Sequence, residues 1–180
     1  MKTFIISDTH FCHTRILGYT NRPFGNVDLM NRAMIENWNA VVGPGDAVIH
    51  LGDFGMWAPE VVRPILRQLN GNILLIRGNH DREETLKLFT WAPRVSMKIG
   101  SYYCCLSHRA LQLLGEDLEA KYCEPMSKRE QATYDFCLCG HSHDKWLWNG
   151  RNLNMSVEQW NYAPVPLEAI ELRLTMNGSA

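Results

Sequence analysis

Five short blocks hold the side chains of this sequence best suited to binding a metal or moving a proton: Asp8-x-His10, Gly52-Asp53, Gly78-Asn79-His80-Asp81, His108 and Gly140-His141-x-His143. Carboxylate, amide oxygen and imidazole together suit borderline divalent ions such as Mn²⁺, Fe²⁺, Ni²⁺ or Zn²⁺, and no cysteine block offers a thiolate site. Alternate side chains of an extended segment share a face. Asp8 with His10, and His141 with His143, would therefore each present two ligands to one cavity. In the third block Gly78 can take backbone angles denied to other residues, which would let Asn79, His80 and Asp81 crowd one strand tip. Asn, His and Asp also populate ordinary turns, so this block gains its weight from the other four.

Each block follows an apolar run. Lys2 to Ser7, Ala47 to His50 and Asn72 to Ile76 read as buried strands, and between them lie two helical stretches. In the first, Asp28 reads as the N-cap, with Met30, Ala33, Met34, Trp38 and Val41 at helical spacing. In the second, Glu60 to Leu69, Pro64 must sit in the first turn or kink the helix. Alternating strands and helices imply parallel strands with crossover helices and a site at their carboxyl ends. Glu83 to Phe89 reads as a further helix. The second half is richer in short strands: Val95–Ile99, Tyr102–Leu106, Phe136–Cys139, Lys145–Trp148 and Asn152–Met155, with Gly100-Ser101 and Asn149-Gly150 as hairpin turns. The polar stretch at about 110–135 reads as a helical insert over the sheet edge.

At 180 residues the chain suits one domain, spanning 1–180, with a core large enough to need no staples. A formal net charge of −1 gives no case for wrapping nucleic acid or binding an anionic membrane. No stretch approaches a membrane span, and the N-terminal run, broken by Asp8, lacks a signal-peptide layout. Six cysteines without a C-x-x-C pair read as reduced thiols, making a cytoplasmic enzyme the expectation.

The count and order of the five blocks resemble the calcineurin-like metallophosphoesterase family over nearly the whole chain. Ser7-Asp8-Thr9-His10-Phe11, Asn21-Arg22-Pro23-Phe24 and Asn154-Met155-Ser156-Val157-Glu158 resemble a compact microbial and phage branch of it. The resemblance implies a four-layer α/β/β/α sandwich, two mixed sheets flanked by helices. It also implies two divalent metal ions, with Mn²⁺ favoured and Fe²⁺, Ni²⁺ or Zn²⁺ as alternatives. One ion would take Asp8, His10, His143 and Asp53; the other Asp53, Asn79, His108 and His141. A shared carboxylate holds such ions roughly 3.5–4 Å apart, where a bridging water loses a proton near neutral pH and attacks phosphorus in line. His80 would then face the substrate as the residue that stabilises or protonates the leaving oxygen, with Asp81 fixing its tautomer. Asp81 has a rival reading as a cap for the following helix.

Other residues carry weaker signals. His13, just past the first block, and Arg15, Arg22 and Arg109 are candidate substrate contacts, as is Arg77, because guanidinium binds phosphate oxygens in pairs. Packing or solvation is the competing reading for each arginine. Arg109 stands where the related branch leads one to expect an aromatic or small residue. His50 reads as a hydrogen-bonded core histidine. Trp146, Trp148, Trp160 and Tyr162 could stack a base, although packing is the favoured reading. The expected activity is hydrolysis of a small phosphodiester or nucleotide-like substrate. Phosphomonoesterase or nucleotide pyrophosphatase is the second reading. A nuclease is disfavoured by charge. A non-catalytic scaffold, as in one retromer subunit resembling this family, is disfavoured by the full ligand set. The sequence leaves oligomeric state open.

Overall fold

Apolar residues two apart dictate the layering. In β1 (Thr3–Ile6), Phe4 and Ile6 turn to one side and Ile5 to the other. A computed structural model describes residues 1–55, 58–113, 121–124 and 126–178. After β1 come the single turn α1 (Ile16–Tyr19), the long helix α2 (Val27–Val41), β2 (Ala47–His50), α3 (Pro59–Leu66), β3 (Asn72–Ile76), α4 (Glu83–Leu86) and β4 (Thr90–Ala92). The second half runs β5 (Arg94–Ile99), β6 (Tyr102–Ser107), β7 (Ala110–Leu111), β8 (Cys123–Glu124), α5 (Lys128–Gln131), β9 (Phe136–Cys139), β10 (Trp148–Asn149), β11 (Asn152–Asn154), β12 (Val165–Pro166) and α6 (Leu167–Gly178).

The strands make two mixed five-stranded sheets, ordered β12-β1-β2-β3-β4 and β10-β11-β9-β6-β5. In the first, β1 to β4 run parallel and β12 is antiparallel. In the second, β6, β9 and β11 are parallel and both edges antiparallel. Phe4, Ile6, Val48 and Leu75 pack under Met30, Met34 and Trp38 of α2, with Val62 and Ile65 of α3. Ile5, Ile49 and Ile76 meet Cys104, Leu106, Phe136 and Leu138 between the sheets, where Ile170 and Leu174 of α6 join them. Cys105, Cys137 and Cys139 point to the far face of the second sheet, which is covered among the described residues by β7, β8 and neighbours of α5. The insert expected to be helical thus contains a parallel strand pair and one helical turn. Residues 114–120 and 125 of it lie outside the described residues.

Several local expectations change. The N-cap of α2 is Asn26, whose Oδ1 accepts the Leu29 N–H at 2.9 Å, while Asp28 lies in the first turn. Pro59 opens α3 and Pro64 lies inside it; lacking an N–H, Pro64 donates no backbone hydrogen bond, and the helix stops at Leu66 rather than Leu69. The helix expected over 83–89 ends at Leu86, and the strand expected over 145–148 forms only at 148–149. Strand β12 and helix α6 carry the chain back across the first sheet. Leu167, Ile170 and Leu174, three and then four residues apart, were the available signal for α6.

Replacing the α2 cap provides a local test. Asn26→Ala should lower unfolding free energy by about 1 kcal/mol in urea titration. Asp28→Ala should cost less, because Asp28 only faces the helix dipole. The reverse order would return the cap to Asp28.

Candidate metal centre

The parallel strands β1, β2, β3, β6 and β9 all end at one edge, and their following residues deliver all five blocks there. The loops lie side by side. Asp8 N–H donates to Gly52 O at 3.0 Å, His10 N–H to Asp53 O at 3.0 Å, and Gly140 N–H to His108 O at 2.9 Å. The pairs Asp8/His10 and His141/His143 are not extended, as alternation had required. Asp8, His10, Asp53, His141 and His143 all have positive φ, between 48° and 67°. Non-glycine residues enter that region at a cost and concentrate at functional sites when they do. Convergence here is a property of left-handed loops, not of strand pleat.

Asp53 lies at the centre. Its Oδ2 is 3.5 Å from His10 Nε2 and 3.4 Å from His108 Nε2, and its Oδ1 accepts the His80 N–H at 2.8 Å. On one side, His10 Nε2 is 4.0 Å and His143 Nε2 3.7 Å from Asp8 Oδ1, and the His10 and His143 rings stack at 5.1 Å. On the other, His108 Nε2 is 2.9 Å from Asn79 Oδ1, and the His141 ring lies edge-on to His108 at 5.2 Å. Asp8, His10 and His143 form one set of ligand atoms within 4.8 Å of one another; Asp8, Asp53 and His108 form a second. His108 Nδ1 sits 2.9 Å from the carbonyl of Leu51, which can take the Nδ1 proton and leave Nε2 for a ligand.

Two observations show that these donors fit a divalent cation. Both ring nitrogens of buried His10 lack a hydrogen-bond partner among the described residues, a cost that a metal would relieve. The charges are also mutually dependent. Burial opposes charge on His108, yet the Asp53 carboxylate overrides it and lifts the His108 pKa to about 9. Burial would raise Asp53, but His108 and His10 hold it well below the ordinary carboxylate range. Burial depresses His10 far below its usual value and, with repulsion from His108, takes His141 down to about 4. A cation bound beside Asp53 would displace the His108 proton and take over its role.

Above this edge opens a cleft of about 410 Å³, with His10, His80, His141 and His143 in its lining. His13, Arg15 and Tyr19 line one part of it; Tyr122 and Lys145 line it as well. His80, exposed and 5.5 Å from the His10 ring, faces this space. Arg15 has no ion pair or side-chain hydrogen bond among the described residues.

Compared with known proteins, residues 1–154 match the model of the calcineurin-like phosphoesterase superfamily domain. The chain belongs to that superfamily. These phosphoesterases depend on divalent metal ions. The chain is 35% identical to the uncharacterized protein MJ1445 of Methanocaldococcus jannaschii over 178 residues, 94% of this chain and 89% of that one. A crystal structure of the protein AQ665 of unknown function from Aquifex aeolicus superposes with a TM-score of 0.73 at 23% identity. The superposition covers 96% of this chain and 98% of that one, a likeness of fold.

Within this calcineurin-like domain some residues do other work than expected. Asp81 does not reach the His80 ring. Its carboxylate accepts three backbone N–H groups, Asp53 at 2.9 Å, Phe54 at 3.0 Å and Gly78 at 2.8 Å, and so staples the second block to the third. Nor does it cap α4, whose N-cap is Arg82. Gly78 lies outside the left-handed region. It must be glycine because a Cβ would collide with the Asp53 carboxylate and backbone nitrogen. Arg22 is not a cleft residue. Its fully buried guanidinium donates to Glu158 Oε1, Thr9 O and Asp8 O. Arg109 donates to Lys121 O and does not line the cleft, while Arg77 pairs with Glu83 at the surface. His50 is a neutral brace, its pKa down to about 3 by burial. Nδ1 accepts from Gly52 N–H, so Nε2 donates to Thr9 Oγ1, which donates to Phe54 O. Trp148 and Trp160 pack between the sheets, Trp146 beneath the far face and Tyr162 against Phe24 and Arg22.

Sequence reasoning gave no role to three residues that hold the ligands. Ser156 Oγ is 2.9 Å from Asp8 Oδ2, Asn154 Nδ2 donates to the carbonyls of His143 and Trp146, and Glu158 Oε1 lies 3.0 Å from His143 Nδ1. The segment was singled out only by its resemblance to one branch of the family, and its alternating polar residues Asn154, Ser156 and Glu158 were the local signal for these contacts.

Asp81→Asn distinguishes a backbone staple from a partner of His80. An amide sets an NH₂ group against one of the three N–H donors, so stability should fall by roughly 1–3 kcal/mol. Thermal unfolding of the metal-free protein measures this; unchanged stability would refute the staple.

Proposed function

We propose that the chain is a phosphoester hydrolase that works with two divalent ions and acts on a small phosphodiester or nucleotide-like substrate. The observation that carries this reading is the position of Asp53 Oδ2, 3.5 Å from His10 Nε2 and 3.4 Å from His108 Nε2, with further ligands beyond each. One carboxylate oxygen so placed suits sharing between two ions. Mn²⁺ is the favoured metal, with Fe²⁺, Ni²⁺ and Zn²⁺ as alternatives. Such ions, when bound, supply charge that acidifies a water and neutralises phosphoryl oxygens.

The chain's own residues do the rest. Asp8, His10, Asp53, Asn79, His108, His141 and His143 hold the centre. His80, held by its N–H to Asp53 Oδ1 while its ring faces the cleft, is placed to protonate the leaving oxygen as water adds to phosphorus and the P–O bond breaks. Without Asp81 as a partner, the His80 ring is free to turn with the substrate. An ester whose leaving group is an alkoxide gains most from that proton. His13 and Arg15 are the remaining candidate substrate contacts. The uncommitted charge of Arg15 beside the cleft favours a second reading, a monoester whose dianion it would bind. A net charge of −1 argues against a nucleic-acid substrate. No disulfide joins the six cysteines, which is in keeping with the cytoplasm.

Hydrolysis of bis(p-nitrophenyl) phosphate and p-nitrophenyl phosphate with each metal tests the reading. Wild type should turn over the diester, and Asp53→Asn should lose at least about 100-fold. No turnover of either ester with any metal would refute it, and a strong monoester preference would overturn the diester choice. His80→Ala should cut kcat by about 10²–10⁴ on diesters with poor leaving groups and far less on nitrophenyl esters. An equal effect on both would remove the proton-donor role.

A further inference from the structure

Glu158 lies beyond the residues 1–154 that define the superfamily match, in a short 3₁₀ turn over Val157–Gln159. Its side chain is 5% exposed, and that of its partner Arg22 0%. Oε1 accepts from Arg22 Nε at 3.0 Å and Nη2 at 2.8 Å and lies 3.0 Å from His143 Nδ1; Oε2 is buried without a partner among the described residues. The same guanidinium reaches the carbonyls of Asp8 at 2.7 Å and Thr9 at 2.8 Å. On the other edge of the ring, His143 Nε2 lies 3.7 Å from Asp8 Oδ1.

Resting on the metal reading above, we infer that Glu158 is a positioning residue that sets the His143 tautomer and aim, and that Arg22 keeps it in that role. A proton on Nδ1 shared with Glu158 leaves the Nε2 lone pair directed at Asp8 and His10, the geometry of a carboxylate–histidine–metal relay. A buried carboxylate beside a metal centre would otherwise compete as a ligand. Arg22 compensates its charge and holds Oε1, which would keep the carboxylate from becoming a ligand itself. Because Arg22 also grips the backbone of the first block, one ion pair fixes His143 relative to Asp8. Arg22 and Glu158 are 136 positions apart in the chain.

Zn²⁺ titration calorimetry on the full chain tests this without reference to turnover. Glu158→Ala should weaken Zn²⁺ binding about 10–100-fold. Glu158→Gln, which keeps an acceptor for Nδ1–H, should recover most of the loss. In a His143→Ala background the same Glu158→Ala change should cost no more than about twofold, since its effect passes through that ring. An equal loss with and without His143 would overturn the proposal, as would wild-type affinity in a folded Glu158→Ala protein. If Glu158→Ala fails to fold, long-range proton–nitrogen spectra of the Zn²⁺-loaded wild type decide. His143 protonated on Nδ1, with that proton resonance shifted in Glu158→Gln, supports the role, and protonation on Nε2 overturns it. Failure of the wild type to bind Zn²⁺ would instead remove the metal reading beneath it.

Discussion

The position of the Asp53 carboxylate is the constraint on which the rest of this site depends. One oxygen faces His10 and His108 together, and the other is held by the His80 backbone. A carboxylate with both oxygens committed cannot shift without disturbing three segments. The neighbouring sequence is shaped to keep it still. Gly78 has no Cβ because Asp53 occupies that space, and Asp81 grips the backbone of Asp53, Phe54 and Gly78 from behind. The Asp53 backbone carbonyl in turn receives the His10 N–H, so the first block is registered against the second through the same residue.

This arrangement opposes local preference. Five of the candidate ligand residues sit in left-handed backbone, at about 1–2 kcal/mol for each. Together these penalties rival the roughly 5–15 kcal/mol of net stability typical of a domain. Loops so placed persist only if the surroundings over-determine them. Here two sheets meet at the strained edge: Ser7 N–H donates to Met155 O, and Val157 N–H to Ser7 O, joining the end of β1 to the segment after β11. Behind them Ile5, Leu51, Met155 and Leu153 are fully buried. Metal binding would add a further restraint, since ligand repulsion and the unpartnered His10 nitrogens both favour it.

Much of this was legible in the sequence because buried parallel strands announce themselves as short apolar runs and the chemistry sits at their ends. Val48, Ile49, Leu74 and Leu75 could hardly be other than buried strand, and Asp53 and Asn79 follow within a few residues. What could not be read is what acts at a distance or through the backbone. Arg22 resembled a phosphate clamp because a guanidinium suits both a substrate phosphate and a buried carboxylate, and only the fold reveals that Glu158 is within reach. Asp81 resembled a histidine partner because it follows His80. In the turn that forms, it faces backward to three N–H groups. Asp8 and His10 do converge on one cavity, but through left-handed backbone rather than a pleated strand, and positive φ at both residues leaves no signature beyond their types.

The Gly78-Asn79-His80-Asp81 turn shows why these distinctions matter to function. Asn79 turns to His108, His80 to the cleft and Asp81 to the backbone beneath Asp53, so three consecutive residues face the candidate metal centre, the open cleft and the scaffold. A histidine braced by a carboxylate would be rigid and strongly basic. His80 is held through its backbone N–H, and its ring has no hydrogen-bond partner among the described residues. Rigidity in this site is concentrated at the ligands, where His143 and His108 each have a partner on the far ring nitrogen. On the proposed reading, freedom is left to the group that would meet the leaving oxygen.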